Sequence, residues 1–255
     1  MMRTAAGTLT VNASNLDFRF TVPIVAKPGR GVPFTYGLTY NSDAAATIGA
    51  YPPFSNAGWL ASGTASGGTI YYQTEYDTCT YYNPYNHQGT QHEYEVFTDW
   101  TYYDITGTPH YFEARTNTST LCETANPTAT AESSDGWKIT ISNYTSAEVL
   151  GPNGWQFGGA HGATEDTNGN YVTATTDTTG TAMLATTSAT NCVNPVNGVT
   201  YPSCTEFTVP SPGSGTVTWT EYFGNVPASL VCSGVTEYST TLGLPEYVVM
   251  PDQFT

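Results

Sequence analysis

Charged side chains are scarce in this chain, and basic ones are the scarcest. Asp, Glu, Lys and Arg make up 11% of its 255 residues, against about 25% in average globular domains. Only six residues are basic, and the formal net charge is −15. Nucleic-acid binding needs clustered Lys and Arg to neutralise phosphates, so we expect no nucleic-acid partner.

Long apolar runs are also missing. Nothing approaches the roughly 20 consecutive apolar residues of a transmembrane helix, and an anionic membrane surface would repel so acidic a protein. The opening residues MMRTAAGTLTV lack the apolar core of a secretory signal. We expect no membrane insertion, and we expect the chain to be a trimmed or internal piece of a longer exported protein.

The five cysteines form no CxxC pair, which argues against a structural zinc site. Cys192 and Cys204 flank the Pro- and Gly-containing stretch CVNPVNGVTYPSC, which is typical of a disulfide-closed loop. Cys79 with Cys122 is the second expected pair, which leaves Cys232 over. The alternative is five reduced, partly buried thiols. The composition, poor in Lys and rich in Thr and Tyr, favours disulfides and an extracellular location.

No convincing amphipathic helix is present, and two-residue alternation replaces it. Phe18, Phe20 and Val22 alternate with polar residues, as do the apolar residues of 32–40. This period predicts strands with one buried face. KPGRG, residues 27–31, supplies the turn between them through Pro28 and Gly29 or Gly31.

Turn signals recur along the rest of the chain. They lie at 104–107, 152–154, 166–169, 177–180 and 212–215, and each contains Asn-Gly, Asp-x-x-Gly or Pro with Gly. Residues 43–92 are less regular and are expected to be long loops over one end of the sheet, with room for short strands within them. The sequence thus predicts an all-β fold of antiparallel hairpins forming a sandwich or curled sheet, with long Tyr/Gly/Pro-rich loops. We expect one domain over 1–255, or two closely packed subdomains at about 1–130 and 131–255.

Several short motifs, in order, resemble the Rhs/YD-repeat family of large bacterial surface and toxin-delivery proteins. GTLTVNASNLDFRFTVPIVAKPGRGVPFTYGLTYNS is similar to the family's opening segment, and DITGTPHYF and GPNGWQF are similar to its hairpins. DTNGNYVTATTDTTGTAM and LPEYVVMPDQFT resemble a degenerate repeat and a hairpin that stops inside its turn. The Tyr-Asp dipeptide is scarce, and the self-cleaving core domain has no counterpart. The resemblance implies an N-terminal segment of a larger, exported bacterial protein built of hairpins laid side by side.

A cation site is one candidate for chemistry. DTNGN places Asp166, Asn168 and Asn170 at alternate positions around a glycine, and such oxygens can hold Ca²⁺. The distal bidentate Glu of an EF-hand is absent, and a plain hairpin turn is the alternative. No other cofactor is expected, since the four histidines show no metal-ligand spacing.

A carboxylate pair is the second candidate. Glu93 and Glu95 lie two residues apart in HEYEVFTD, and on one strand face they would be about 7 Å apart. Glycoside hydrolases use paired carboxylates roughly 5–10 Å apart. Most such pairs are the solvated face of an edge strand, so an enzyme is not the favoured interpretation.

Tyrosine density is the third candidate. Tyrosines stack on sugar rings and are enriched in protein interfaces. The alternative is a Tyr-rich sheet face that packs internally. The candidate binding residues are Tyr71, Tyr72, Tyr76, Tyr81, Tyr82 and Tyr85.

These features favour a non-catalytic extracellular or cell-surface module. Its expected partners are the rest of its own longer chain or other copies of itself, joined through open sheet edges. A carbohydrate-binding β-sandwich is the first alternative, and a β-jelly-roll glycoside hydrolase is the second.

Overall fold

The computed structural model describes residues 8–11, 18–42, 58–82, 85, 88–159, 162–211, 215–230 and 238–251. Antiparallel strands dominate these residues, which confirms the all-β prediction. None of them forms a helix long and apolar enough to cross a membrane. In chain order the strands are β1 (Thr8–Val11), β2 (Phe18–Lys27), β3 (Phe34–Asn41), β4 (Trp59–Ser62), β5 (Thr69–Tyr82), β6 (Gly89–Tyr103), β7 (Pro109–Phe112), β8 (Thr116–Asn117), β9 (Ala129–Glu132), β10 (Lys138–Ser142), β11 (Ser146–Leu150), β12 (Gln156–Phe157), β13 (Thr164–Glu165), β14 (Tyr171–Val172), β15 (Ala185–Val193), β16 (Thr200–Pro210), β17 (Thr216–Leu230) and β18 (Tyr238–Val249).

The chain divides into two compact units. Unit 1 comprises Met1–Lys27, Phe34–Ala61 and Ala174–Thr255, and unit 2 comprises Pro28–Pro33 and Ser62–Thr173. The boundary near residue 130 that the sequence suggested runs through unit 2. The reason is that strands from both sides of that position bury their apolar faces in one core.

Unit 1 contains two four-stranded antiparallel sheets, ordered β1-β2-β3-β4 and β15-β16-β17-β18. The ring centroids of Tyr36 on β3 and Phe207 on β16 lie 5.2 Å apart, which joins the two sheets. Phe207 pairs across the sheet with Trp219 of β17, and both are buried. This face of the second sheet is therefore the apolar side that unit 1 packs against β3.

The alternation predicted for residues 18–22 is only partly right. Phe18 and Phe20 are exposed rather than buried, at 40% and 36% of their surface. The neighbouring strand β3 instead buries polar side chains as well as apolar ones, including Thr39 and Asn41. Thr39 tolerates burial because its hydroxyl hydrogen-bonds that of Thr21 at 2.9 Å. The burial of side chains on β2 and β3 therefore depends on how side chains pair between the strands, which sequence periodicity does not reveal.

The KPGRG turn forms as predicted, and Gly31 is the residue with the left-handed backbone, at φ +86°. A side chain there would collide with the carboxylate of Asp166 and the amide of Asn170. Gly31 is thus required both by its φ and by the close approach of the 166–170 turn.

Unit 2 also contains two sheets. One is ordered β5-β6-β7 with β8 paired to β6, and the other is the meander β14-β13-β12-β11-β10-β9. On β10, Ile139 and Ile141 are buried while Lys138 and Thr140 are exposed, as the alternation predicted. The two sheets share one core, whose buried members are Phe97, Trp100, Tyr102, Phe112, Ala114, Ile139, Ile141, Val149 and Phe157.

The prediction of long loops over residues 43–92 is wrong for its second half. Residues 69–82 and 89–103 form the long strands β5 and β6, which pair over nearly their whole length. Turn-forming residues misled the interpretation because they cluster at 83–88, in the sequence between the two strands. The segment 43–57 lies outside the described residues.

Hairpin turns repeat one hydrogen-bonding scheme. At Asp104, Asp166 and Asp177, the Asp Oδ1 atom accepts backbone N–H bonds from residues two and four positions later, at 2.8–3.0 Å. The residue three positions after each aspartate is a glycine with φ between +74° and +84°. The predicted turn at 152–154 forms without an aspartate, and most of the turn predicted at 212–215 lies outside the described residues. The donors in the three Asp turns are Thr106 and Thr108, Asn168 and Asn170, and Thr179 and Thr181.

Candidate binding surface

The β5–β6 hairpin presents two different faces. Tyr76 pairs with Glu95, Thr78 with Glu93, and further pairs follow toward the turn. Directly paired residues project to the same side of a sheet. We call the set Tyr76, Thr78, Thr80, Tyr82, Gln91, Glu93 and Glu95 the Tyr76–Tyr82 face.

The Tyr76–Tyr82 face is open at both ends. Tyr76 is 62% exposed and Tyr82 is 68% exposed, and the threonines between them are exposed too. Six residues of extended strand separate the two rings by about 20 Å. A Cβ at Gly89 would lie 3.2 Å from Cε1 of Tyr82 and 2.8 Å from Cγ2 of Thr80. Gly89 therefore lets the Tyr82 ring lie across the partner strand.

The other candidate tyrosines have different surroundings. The ring of Tyr72 packs on Trp100 with centroids 4.7 Å apart, and Tyr71 packs edge-on against Tyr103 at 5.7 Å. Burial raises the pKa of Tyr71 to about 12. These two tyrosines belong to the end of the hairpin that joins the core, as the internal-packing alternative expected.

Tyr81 and Tyr85 lie away from the core as well. Tyr81 projects from the opposite face, and its ring packs edge-on against that of His92 with centroids 6.1 Å apart. Tyr85, between the two strands, is 94% exposed. The six predicted tyrosines are thus not one platform, and only Tyr76 and Tyr82 share an open sheet face.

Glu93 and Glu95 share the face of Tyr76, as the two-residue spacing predicted. Glu93 is exposed and Glu95 is half-buried. The backbone N–H of Glu95 donates to the Thr118 hydroxyl at 3.0 Å, which attaches this strand to the segment after β8. The pair lies on an open strand face, so a catalytic role for it stays a prediction.

A disulfide between Cys79 and Cys122 supports the opposite face, as predicted, with Cα atoms 5.7 Å apart. Next to it, the Tyr94 hydroxyl donates to Oδ2 of Asp77 at 3.1 Å. Oδ1 of Asp77 accepts the backbone N–H of Thr78 at 2.8 Å. These contacts therefore stabilise the hairpin on the face opposite to the Tyr76–Tyr82 face.

The second predicted disulfide, Cys192–Cys204, links β15 to β16 with Cα atoms 6.0 Å apart. Cys204 belongs to a small core with Tyr201, Tyr222 and Val249. This bond closes a hairpin rather than a loop over a site. Cys232 lies outside the described residues.

The predicted cation ligands form one of the three Asp turns. Asp166 accepts the N–H groups of Asn168 and Asn170, and Nδ2 of Asn170 donates to Oδ2 of Asp166 at 2.9 Å. Burial acts to raise the pKa of Asp166, but these hydrogen bonds outweigh it and lower the pKa. The carboxylate oxygens face N–H donors, which favours the hairpin-turn alternative. Within the described ranges no group of three His, Cys, Asp or Glu residues is arranged to hold a metal ion.

Sequence reasoning missed a buried histidine between two carboxylates. His110 on β7 is 4% exposed, with Nδ1 2.6 Å from Oδ2 of Asp135 and Nε2 3.5 Å from Oδ2 of Asp104. Its ring stacks on Trp137 with centroids 4.3 Å apart. Burial acts to raise the pKa of Asp104, but its contact with His110 and its hydrogen bonds from Thr106 and Thr108 hold the pKa below its usual value. The three ionisable groups are 6 and 25 residues apart in the chain, so spacing gave no signal.

Glu221 on β17 is a second feature that the sequence did not reveal. It is 3% exposed, and none of the described residues donates a hydrogen bond to its Oε1 atom. Burial raises the pKa of Glu221 to about 7. The pKa of Tyr36 rises to about 12, first through burial and then through the nearby Glu221 charge. A buried carboxyl of this kind tunes stability with pH.

Comparison with protein-family models, curated proteins and solved structures gave no match to this chain.

Proposed function

We propose that this chain is a non-catalytic structural and interaction module of an extracellular or cell-surface bacterial protein, an N-terminal segment of an Rhs-like chain. Hairpins placed side by side bury one another's apolar faces, and each depends on its neighbours for stability. Such a module provides a rigid wall and an exposed surface. Its partners are the remainder of its own longer chain, further copies of itself, or a ligand of that surface.

The observation that carries the proposal is the use of ionisable side chains as structural ties. The same Asp-to-backbone scheme closes the turns at Asp104, Asp166 and Asp177. His110 is held between two carboxylates and stacked on an aromatic ring. The carboxylates of these three aspartates are already committed to hydrogen bonds within their own turns and are poorly placed to act as acids, bases or ligands.

An extracellular location is supported by the two disulfides and by the composition. Disulfide bonds persist in oxidising compartments and are rare in the cytosol. A net charge of −15 also favours solubility, because copies of the chain repel one another.

The test has two measurements, the disulfide bonds of the chain and its hydrolysis of polysaccharides. The full chain, produced in an oxidising compartment, is digested without reductant and examined by mass spectrometry, and it is also incubated with a broad polysaccharide panel. We expect the Cys79–Cys122 and Cys192–Cys204 peptides and no released sugar. Hydrolysis that disappears in Glu93→Gln or Glu95→Gln, with unchanged circular dichroism, would overturn the non-catalytic assignment. Reduced thiols after oxidative production would overturn the extracellular one.

A further inference from the structure

The two strands that form the Tyr76–Tyr82 face carry no basic residue of their own. The hairpin from residue 73 to residue 95 contains four acidic residues and no Lys or Arg. Two of the acids, Glu93 and Glu95, lie on the face itself beside Tyr76. An exposed tyrosine ring next to carboxylates attracts a cation by two interactions. One is with the quadrupole of the ring, and the other is with the negative charge of the carboxylates.

We propose that the Tyr76–Tyr82 face binds an extended, basic segment of a partner protein. The proposal rests on the interaction role proposed above and names the chemistry of the partner. The two rings lie about 20 Å apart, which is the length of about six residues of extended chain. One segment can therefore place an Arg or Lys over Tyr76, between Glu93 and Glu95, and a second long side chain over Tyr82.

Among the described strands β5 pairs only with β6, and its other edge is a poorer docking site than the face. The carboxylate of Asp77 already accepts hydrogen bonds from the backbone N–H of Thr78 and from the Tyr94 hydroxyl. Charged side chains on an edge strand oppose pairing with another strand. In an antiparallel pair with a second copy, the Glu75 and Asp77 charges would meet like charges when they lie opposite one another. The occupant of the face is therefore a basic partner rather than a second copy of this acidic chain.

A neutral polysaccharide is the competing occupant. Stacking on Tyr76 and Tyr82 would suit it, but it would gain nothing from the carboxylates of Glu93 and Glu95 on the same face. A basic segment uses both features, and its binding weakens as salt screens the charges. Salt dependence therefore separates the two ligands.

The experiment uses the full, disulfide-bonded chain and fluorescence anisotropy with three eight-residue peptides. Threonine alternates with arginine in the first peptide, with glutamate in the second and with serine in the third. We expect binding of the arginine peptide alone, weakened when NaCl rises from about 50 to about 500 mM. Tyr76→Ala should weaken binding about two- to fivefold, as should Glu93→Gln combined with Glu95→Gln. Tyr111→Ala and Glu132→Gln, on other strands, should leave binding unchanged.

Three results would overturn the proposal. One is no binding of the arginine peptide at low salt. Another is binding that the face variants and the control variants affect equally, which would indicate attraction to the overall charge of −15. A third is binding of a neutral glucan that Tyr76→Ala abolishes while the arginine peptide does not bind. None of these involves sugar release or disulfide status, so failure here is distinguishable from failure of the proposed function.

Discussion

The Nδ1 atom of His110 lies 2.6 Å from Oδ2 of Asp135, which joins β7 to the turn between β9 and β10. The contact fastens one sheet of unit 2 to the other at the edge of their shared core. It is a short hydrogen bond, and the carboxylate acceptor makes it charge-assisted.

Replacing Asp135 by Asn should destabilise unit 2. Burial acts to raise the pKa of Asp135, but hydrogen bonds from Ser133 and His110 lower it by more. A carboxyl with a lowered pKa stabilises the fold above its unfolded value, near 3.8, and loses that contribution as pH falls through the folded value. We expect Asp135→Asn to lower the free energy of unfolding by about 1–2 kcal/mol at pH 7, since half of the side chain is exposed.

Urea unfolding of Asp135→Asn at pH 7 and at pH 3 measures this. The difference from the wild type should be smaller at pH 3, because the parent protein begins to lose the contribution of the ionised carboxylate once the pH falls below the unfolded value near 3.8. Glu113→Gln, which alters an exposed acid in the same unit, serves as the control and should change neither value. Equal losses at both pH values would show that the charge on Asp135 plays no part.

Glu221 predicts the opposite pH dependence for unit 1. Its pKa is raised by burial from 4.5 to about 7. The stability linked to the protonated carboxyl is therefore complete below pH 4.5 and is lost as pH rises through the folded pKa near 7. We expect Glu221→Gln to flatten this decline and to be the more stable protein at pH 8, by at most about 3 kcal/mol.

The measurement is the free energy of unfolding between pH 4 and pH 8 for wild type, Glu221→Gln and Glu206→Gln. Glu206 is an exposed acid on the adjacent strand β16 and is the matched control. A variant profile parallel to that of the wild type across this range would refute the assignment of the titration to Glu221.

The two disulfides should differ in their effect on stability. Cys79–Cys122 spans 43 residues and Cys192–Cys204 spans 12. In the chain-entropy model the longer loop is stabilised by about 4 kcal/mol and the shorter by about 3 kcal/mol. Replacing each pair by serines and comparing denaturant midpoints checks the order. A larger loss from the 192–204 pair would mean that local strain or packing outweighs loop entropy.

Gly180 tests the repeated Asp turn. Its φ is +74°, and a Cβ there would contact nothing within 4 Å, so only the backbone conformation opposes a side chain. Gly180→Ala should destabilise unit 1 by about 1 kcal/mol. Gly243→Ala is the control, because that glycine also has open space but no positive φ. Thermal unfolding that ranks the two variants equally would contradict the role given to the turn.

Local patterns determined much of this protein in advance. Alternation and Asp-x-x-Gly signals predicted the all-β class, strand β10 and most of the turns, because side-chain direction and left-handed backbone are properties of a few neighbouring residues. Cysteine positions indicated both disulfides.

Only the tertiary structure decided which faces are buried, which residues meet across the chain, and how the chain divides into units. Phe18 and Phe20 are exposed, Glu221 is buried, and His110 meets Asp135 over 25 residues. These outcomes depend on which sheet covers which face. Such coverage is a long-range property, because burial and pKa depend on residues that are distant in sequence and are brought together only when separate hairpins pack.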